Sequence, residues 1–338
     1  MQLKFSFVIP VYNRPGEIRE LLQSMLALDF EKDFEIVIVE DGSTIPCKEV
    51  LKDFEDLLNI SYYFKPNSGP GDSRNFGMKK AEGNYFLILD SDVLLPPDYL
   101  WEVDSFLNKN FVDCYGGPDA AHPSFSSIQK AINYAMTSTL TTGGIRGNKK
   151  AVGKFQPRSF NMGISRAAFE ASGGFGNIHP GEDPDLSLRL EKMEFSTALI
   201  PDAAVYHKRR IDWKKFYQQV RKFGKVRPIL NMWHPGSAKI TYWFPTVFIA
   251  ALLFSLILLS LGWSILFWVF VAYFVIIAID ATFKNKSFYI GIAAVVATFI
   301  QFWGYGTGFL QSVWKLYFMK MTPQTAFPNL FFSNNEED

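Results

Sequence analysis

The stretch YFLILDSDVLLP, residues 85–96, decides how the first half of this chain folds. Five apolar or aromatic residues lead directly into Asp90, Ser91 and Asp92, and the chain then becomes apolar again. Such a run is typical of a strand that is buried on both faces of a parallel sheet. Ligands of open α/β sheets bind at the carboxyl ends of the strands, and both aspartates lie at such an end.

Two carboxylates one residue apart repel each other, and a divalent cation relieves that repulsion. Mg²⁺ or Mn²⁺ would take oxygens from Asp90 and Asp92 and hold phosphate oxygens at its other positions. The simpler alternative is a turn in which one of the two aspartates caps a helix opened by Pro96 and Pro97. The rest of the chain has to distinguish these interpretations.

The composition of the 338 residues narrows the class of protein. The net charge of +1 argues neither for nor against nucleic acid, and the apolar residues accumulate after about residue 240. Cys47 and Cys114 are the only cysteines, which are too few for a disulfide framework or a cysteine zinc site. We therefore expect a reducing, cytosolic setting. The apolar run at residues 5–11 is too short for a signal peptide and predicts a first strand.

Strands and helices alternate through the first part of the chain. Strands are predicted at residues 5–11, 34–43, 60–64 and 85–89, with helices after Pro15, at residues 50–58 and after a glycine-rich loop at residues 67–83. This alternation predicts a mostly parallel sheet with helices on both faces. Three of the strands end in polar residues, which predicts a nucleotide pocket at one edge of the sheet.

Four motifs in sequence order carry a resemblance to a known family. They are VIPVYNR at residues 8–14, VEDGS at 39–43, GPGDSRN at 69–75 and LDSD at 89–92. Together they resemble the nucleotide-binding half of the family 2 inverting glycosyltransferases, which have the GT-A fold. The resemblance covers roughly the first 210 residues.

The resemblance implies a nucleotide-sugar site, with a UDP-sugar as the first choice of donor. Base and ribose would contact Pro10, Tyr12 and Asp41; ordinary packing for Tyr12 and an Asx-turn for Asp41 are the alternatives. In the same site the substrate contacts would include Arg14 and Ser91.

The diphosphate of that donor would lie against the glycine-rich loop and the aspartate pair. Arg74 could pair with the diphosphate, the alternative being a surface salt bridge. Asp90 and Asp92 would hold an Mn²⁺ or Mg²⁺ ion and its phosphates. His207, after the predicted strand TALIPDAAVYH, would contact the metal or the leaving diphosphate, or else be a structural histidine.

A second acidic motif supplies a candidate base. HPGEDPDLSLRL, residues 179–190, places Glu182 and Asp183 at a predicted helix start, where acids also serve as ordinary caps. The family carries an ED motif here after a GGF-like segment, and residues 173–175 are Gly-Gly-Phe. The resemblance implies that Asp183 is the general base and that Glu182 orients or binds the acceptor. Asp185 is a competing carboxylate.

A basic segment separates this part of the chain from the apolar region. Residues 208–227 contain nine lysines or arginines and one acid, with aromatic residues at helical spacing. Because a long apolar run follows, an interfacial helix on an anionic cytoplasmic leaflet fits better than a nucleic-acid site. Similar processive enzymes carry a QxxRW signature here. The chain keeps Gln218 and Arg221 as candidates for acceptor or diphosphate contact but lacks the tryptophan, which leaves processivity open.

Residues 240–279 contain no charge, which is about twice the length of one membrane span. Residues 288–305 are a third candidate span, with a re-entrant or shallow arrangement as the alternative. The positive-inside rule places the catalytic domain on the cytoplasmic side of an inner membrane. The expected domains are a GT-A catalytic domain at 1–210, an interfacial helix and linker at 211–239, transmembrane helices at 240–322 and an acidic tail at 323–338.

The sequence therefore predicts a metal-dependent inverting glycosyltransferase anchored in a membrane. Its acceptor would be a lipid-linked oligosaccharide or a growing surface polysaccharide, and nucleic acid is not expected as a partner. Three alternatives remain open: transfer to polyprenyl phosphate, an inactive nucleotide-binding membrane scaffold, and a nucleotidyltransferase that releases pyrophosphate.

Overall fold

A computed structural model of the chain describes residues 2–120, 125–142, 156–207 and 212–332. It contains two compact units. The first comprises Met1–His122, Arg146–His207 and Phe331–Asp338, and the second comprises Pro123–Ile145 and Lys208–Leu330. A short stretch inside the span 1–210 thus belongs to the second unit, and the start of the basic segment, residues 208–211, lies outside the described residues.

The first unit contains all ten strands of the described residues and six of their helices. The strands are β1 Phe5–Val11, β2 Phe34–Asp41, β3 Ile60–Lys65, β4 Tyr85–Leu89, β5 Val93–Leu94, β6 Cys114–Gly116, β7 Asp119–Ala120, β8 Asn161–Ser165, β9 Thr197–Leu199 and β10 Val205–His207. The helices α1 to α4 are Pro15–Leu26, Lys48–Leu51, Pro70–Lys80 and Tyr99–Lys109.

The second unit has helices and no strand among its described residues, and it interrupts the first unit in the sequence. Its first helices are α5 Ser127–Thr137 and α6 Thr139–Thr142, after which the chain returns to the first unit for α7 Arg166–Ser172 and α8 Glu182–Lys192. The remaining helices are α9 Trp213–Trp233, α10 Phe244–Ser260, α11 Ile265–Asn285, α12 Phe288–Val313 and α13 Pro323–Ala326, with a π-helical turn at Trp314–Phe318 and short 3-10 turns at Pro235–Ser237, Ile240–Trp243 and Pro328–Leu330.

The main sheet has seven strands in the order β3-β2-β1-β4-β8-β6-β9. Four of its six pairings are parallel, and β8 runs antiparallel to both of its neighbours. The central strands β1 and β4 are almost fully buried, as their apolar runs predict. The mostly parallel sheet is confirmed, and the carboxyl ends of β1, β2 and β4 lie at one edge.

A small second sheet brings together residues that are far apart in sequence. It has the order β5-β10-β7. In it His207 is the pairing partner of Val93, the residue after Asp92, and Val205 is the partner of Asp119. This sheet therefore delivers an imidazole and an additional carboxylate to the end of β4.

Two predicted elements are wrong in detail. Residues 197–207 do not form one strand, because Pro201 lacks a backbone N–H and the chain turns between β9 and β10, which belong to different sheets. The predicted helix at residues 50–58 is a single helical turn, Lys48–Leu51, followed by irregular turns. Leu51 and Phe54 bury their side chains there, so packing rather than helix propensity determines the local structure.

Helix α3 lies unusually close to the main sheet. A Cβ atom at Gly77 would meet Val8 Cγ1 at 2.6 Å and Val39 Cγ2 at 3.1 Å. Only glycine allows this approach without displacing the sheet. The position of α3, which carries Arg74 one turn earlier, is thereby fixed against β1 and β2.

The second unit is organised around the contact between α9 and α12. A Cβ at Gly224 would collide with the backbone oxygen of Tyr305, and one at Gly308 would collide with the backbone oxygen of Arg221. Glycines on both helices therefore bring the two backbones close together, as in small-residue helix contacts. Among the residues that the structure describes, three helical segments are long and apolar enough to cross a membrane: Ile240–Ser260, Ile265–Asn285 and Phe288–Phe318.

We expect Gly77→Ala to lower the unfolding free energy by about 1–3 kcal/mol, because the added methyl group overpacks the interface between α3 and the sheet. Thermal unfolding of the detergent-solubilised chain measures this change. Gly16→Ala is the matched control, because nothing lies within 4 Å of a Cβ at Gly16 in α1. An equal loss of stability in both variants would contradict the packing explanation.

Candidate functional site

The end of β4 carries the metal-site residues predicted from sequence. The donor atoms of Asp90, Asp92 and His207 all lie within 4.8 Å of one another. His207 Nε2 is 3.3 Å from Asp92 Oδ1, and Asp92 Oδ2 accepts a 2.6 Å hydrogen bond from Arg14. Burial would raise the pKa of Asp92, but His207 and Arg14 hold it below its ordinary value.

This donor set fits a divalent cation. Arginines take one oxygen from each aspartate, Oδ1 of Asp90 and Oδ2 of Asp92, which leaves the second oxygens for a ligand. His207 Nδ1 lies 3.7 Å from the buried carboxylate of Asp119, so Nε2 is the nitrogen that faces Asp92. Carboxylates with an imidazole that is oriented by a further carboxylate are a usual ligand arrangement for Mn²⁺.

Arg74 joins this strand end to the second acidic motif. Its Nη2 donates to Asp90 Oδ1 at 2.7 Å, and its Nη1 donates to Glu182 Oε1 at 3.0 Å. The side chain is 4% exposed and also lies over the ring of Phe175. Arg74 is therefore a buried connector and not a surface salt bridge. Its Nε is buried and has no hydrogen-bond partner in the described part of the chain.

Glu182 and Asp183 begin α8, as predicted, but their environments differ. Burial would raise the pKa of Glu182, yet His179 and Arg74 hold it down to about 2. Burial raises the pKa of Asp183, and the adjacent Glu182 raises it further, against the opposing effect of Arg74 and Arg158. Glu182 is thus a fixed anion, whereas Asp183 has the higher proton affinity that a general base needs.

The two aspartates of α8, Asp183 and Asp185, are distinguished by their partners. Asp185 Oδ2 accepts a 3.0 Å hydrogen bond from Arg189 Nε, which engages the competing carboxylate within the helix. No described residue donates a hydrogen bond to the Asp183 carboxylate, which is partly exposed. The geometry therefore favours Asp183 over Asp185 as the group that meets an acceptor.

The end of β2 holds the glycine-rich loop in place. Asp41 accepts hydrogen bonds from the backbone N–H groups of Ser68 and Gly69, at 2.9 and 3.0 Å. The Lys65 ammonium and the Asn67 amide also donate to it. The predicted nucleotide contact of Asp41 stays a prediction, because its carboxylate is largely engaged by this loop.

A segment near the C-terminus packs on two site loops of the first unit. Phe331 forms a β-bridge with Ile178, and the Phe332 N–H donates to the Asn177 carbonyl at 3.1 Å. The Phe332 ring lies 6.2 Å from the His179 ring, and it also fills the space beside Gly69. This ring thus lies beside both the loop held by Asp41 and the loop that leads into α8.

The other predicted residues lie as follows. Tyr12 is 52% exposed and Pro10 is partly buried at the end of β1, while Ser91 is buried between the two aspartates. Both QxxR residues are in α9 of the second unit, where Gln218 is exposed and Arg221 Nη2 donates to Gln311 at 3.3 Å. Their substrate contacts stay predictions.

Three residues that contact the site were not predicted from the sequence. His179 pairs with Glu182 at 2.9 Å, and its i,i+3 spacing within the acidic motif was an available signal. Asp119 reaches His207 only because β7 pairs with β10. Phe332 is far from every motif in sequence, so no local pattern marks it.

Comparison with known proteins assigns the family. The sequence profile described as glycosyl transferase family 2 matches residues 6–173. The chain therefore contains a family 2 glycosyltransferase domain, and the resemblance seen in its motifs is confirmed.

Two relatives match shorter parts of the chain. The poly(ribitol-phosphate) beta-N-acetylglucosaminyltransferase TarS of Staphylococcus aureus is 35% identical over 114 residues, which is 33% of this chain and 20% of TarS. The succinoglycan biosynthesis protein ExoW of Rhizobium meliloti is 33% identical over 117 residues, covering 33% of this chain and 36% of ExoW. The matches thus span only a fifth to about a third of these relatives.

A solved structure shares the fold over most of the chain. The mannosyltransferase PcManGT of Pyrobaculum calidifontis, in complex with GDP-Man and Mn²⁺, has a TM-score of 0.59 and 17% sequence identity. The likeness covers 88% of this chain and 87% of that one. It shows the fold alone: a GT-A domain followed by apolar C-terminal helices.

We expect Arg74→Gln to lower the unfolding free energy by about 3 kcal/mol, because it removes the shared cation from the buried Glu182 and the partly buried Asp90. Thermal unfolding in detergent again gives the measurement, and Glu182→Gln in the same chain should restore part of the loss. The control is Arg19→Gln, which breaks an exposed pair with Asp53 and should cost less than about 1 kcal/mol. Equal losses for Arg74→Gln and Arg19→Gln would show that the buried network contributes no more to the unfolding free energy than an exposed ion pair does.

Proposed function

We propose that the chain is a metal-dependent inverting glycosyltransferase that moves a sugar from a nucleotide sugar to an acceptor held at a membrane. The observation that carries this proposal is the Arg74 bridge, which ties the carboxylates at the end of β4 to the start of α8. The proposed diphosphate site and the candidate base would thereby be held beside each other, as single-step displacement requires.

Residues of the first unit would have distinct roles in this reaction. Asp90, Asp92 and His207 would hold Mn²⁺ or Mg²⁺, which when bound supplies positive charge for the leaving diphosphate. Asp183 would take the proton of the acceptor hydroxyl as that oxygen attacks the anomeric carbon. Glu182 would orient the acceptor through Oε2, which is buried and accepts no hydrogen bond from the described residues.

The proposed donor is a UDP-sugar, and the proposed acceptor is a lipid-linked oligosaccharide or a growing surface polysaccharide. The donor follows from the motifs that the chain shares with its family. The names of TarS and ExoW, which refer to a poly(ribitol-phosphate) and to succinoglycan, support a polymer as the acceptor. The three apolar helices support an inner-membrane location, with the catalytic domain proposed to face the cytoplasm.

Transfer to polyprenyl phosphate is the second candidate. There a phosphate oxygen, already ionised at neutral pH, would be the nucleophile, and no general base would be required. The free carboxylate of Asp183 and its raised pKa favour a hydroxyl acceptor.

We expect metal-dependent release of one nucleoside diphosphate when the purified chain is incubated with UDP-, GDP- and dTDP-sugars and membrane lipid extract. EDTA should abolish release, and Mn²⁺ or Mg²⁺ should restore it. Asp92→Ala should be inactive, whereas Asp53→Ala, which alters an exposed ion pair, should keep full activity. Release of pyrophosphate instead would identify a nucleotidyltransferase, and no release from any donor would favour the inactive scaffold.

We expect Asp183→Asn to lower turnover by about 10²-fold or more, because the amide of asparagine cannot take the proton from the hydroxyl group of the acceptor. Donor affinity, measured by calorimetry, should stay unchanged, since Asp183 is assigned to the acceptor. Asp185→Asn is the comparison on the same helix and should retain most of the turnover. A nearly normal rate for Asp183→Asn would remove the general base from the mechanism and favour a phosphate acceptor.

A further inference from the structure

One face of α9 in the second unit concentrates positive charge. Arg221 and Lys222 lie four and three residues before Lys225, which places each of them beside Lys225 on the helix. Lys315, from the π-helical turn that follows α12, joins this group. The contact between α9 and α12 through Gly224 and Gly308 is what allows the two elements to approach.

A single aromatic ring connects the two helices at this cluster. The ammonium of Lys225 lies 5.4 Å from the centre of the Phe327 ring, and that of Lys315 lies 5.0 Å from the same centre. Phe327 is buried, so its ring is fixed. The ring therefore holds the ammonium groups of Lys225 and Lys315, which come from different helices, close to each other. Lys315 also donates to the Ala326 carbonyl at 2.9 Å, which orients its ammonium further.

This cluster has no counter-ion within the described residues. No carboxylate lies within ion-pair distance of Arg221, Lys225 or Lys315 among residues 2–120, 125–142, 156–207 and 212–332. Arg221 Nε is buried and has no acceptor there. Burial lowers the pKa of Lys225, and the charges of Arg221, Lys315 and Lys222 lower it further, so the cluster is electrostatically unfavourable as it stands.

The place of Lys315 in the sequence indicates the depth of the cluster. It lies three residues before the end of the third segment that is apolar and long enough to span a membrane, Phe288–Phe318. The end of a long apolar segment, whether the segment crosses the bilayer or lies shallow in it, coincides with the headgroup region, where lysine and arginine meet lipid phosphates. An anion at that depth would come from a lipid headgroup rather than from a nucleic acid or a free soluble ion.

We propose that Arg221, Lys225 and Lys315 bind the phosphate of a lipid whose headgroup is a phosphomonoester or a diphosphate. Three cations match a headgroup that carries at least two negative charges, whereas a phosphodiester carries one. Identifying this lipid with the sugar acceptor rests on the proposed function, but the binding of the phosphate does not. On that basis the site would hold the acceptor by its phosphate end.

The test uses the full chain in phosphatidylcholine nanodiscs that contain increasing amounts of either phosphatidic acid or phosphatidylserine. The lipid concentration at half-maximal thermal stabilisation gives an apparent affinity. The wild type should prefer phosphatidic acid at matched surface charge. Lys225→Gln and Lys315→Gln should each weaken that preference about fivefold. The matched control, Lys214→Gln with Lys215→Gln, removes two exposed charges from the same helix and should retain the preference.

Three results would overturn the proposal. The first is equal stabilisation by the two lipids, which would indicate attraction to any anionic surface. The second is an equal loss in the control variant. The third is full stabilisation by inorganic pyrophosphate in pure phosphatidylcholine, which would assign the site to a free anion. Nucleotide release by the wild type is measured separately. Its absence would contradict the proposed function and leave the lipid result standing, whereas intact release without lipid selectivity would contradict this inference alone.

Discussion

The Arg74 guanidinium is shared by two carboxylates from distant parts of the chain, Asp90 after β4 and Glu182 at the start of α8. Burying the charges of Arg74 and Glu182 costs more free energy than an apolar contact of similar size, so this bridge is weak evidence for stability in itself. What it provides is a fixed distance between the end of the sheet and α8. Asp183 follows Glu182 directly, so its position relative to the strand end depends on the same guanidinium.

The position of Arg74 depends in turn on simple packing. Gly77 lets α3 rest on the valines of β1 and β2, and Asp41 holds the loop that leads into α3 by its backbone N–H groups. The contact at Gly77 thus fixes the distance of α3 from the sheet, and the hydrogen bonds to Asp41 fix the residue at which α3 begins. Two short-range features of the sequence, a glycine at one helix position and an acid at one strand end, determine where a charged group lies.

Local patterns were sufficient to predict the strands β1 to β4, the acidic ends of β2 and β4 and the apolar helices, because each depends on neighbours in sequence. Contacts that depend on strand pairing were not predictable. Asp119 reaches His207 only through the small sheet, and the break after β9 reflects the missing N–H of Pro201. The contact of Phe332 with the site loops likewise joins residues that no periodicity relates. Sequence therefore indicated candidate groups for the chemistry, but not the residues that orient them.

The arginines of the site in the first unit are paired with carboxylates, whereas the cationic cluster of the second unit is not. In the first, the site arginines Arg14 and Arg74 are each paired with carboxylates, so their charges are largely balanced before any substrate binds. In the second, close packing of α9 on α12 brings Lys225 towards Lys315, and the described residues offer them no acid. Apolar packing would be satisfied equally well by uncharged side chains at these positions. Packing does not require these cations, and no carboxylate of the described residues balances them. An anion from outside the chain would explain their presence. The apolar helices beside them point to the membrane as the source of that anion.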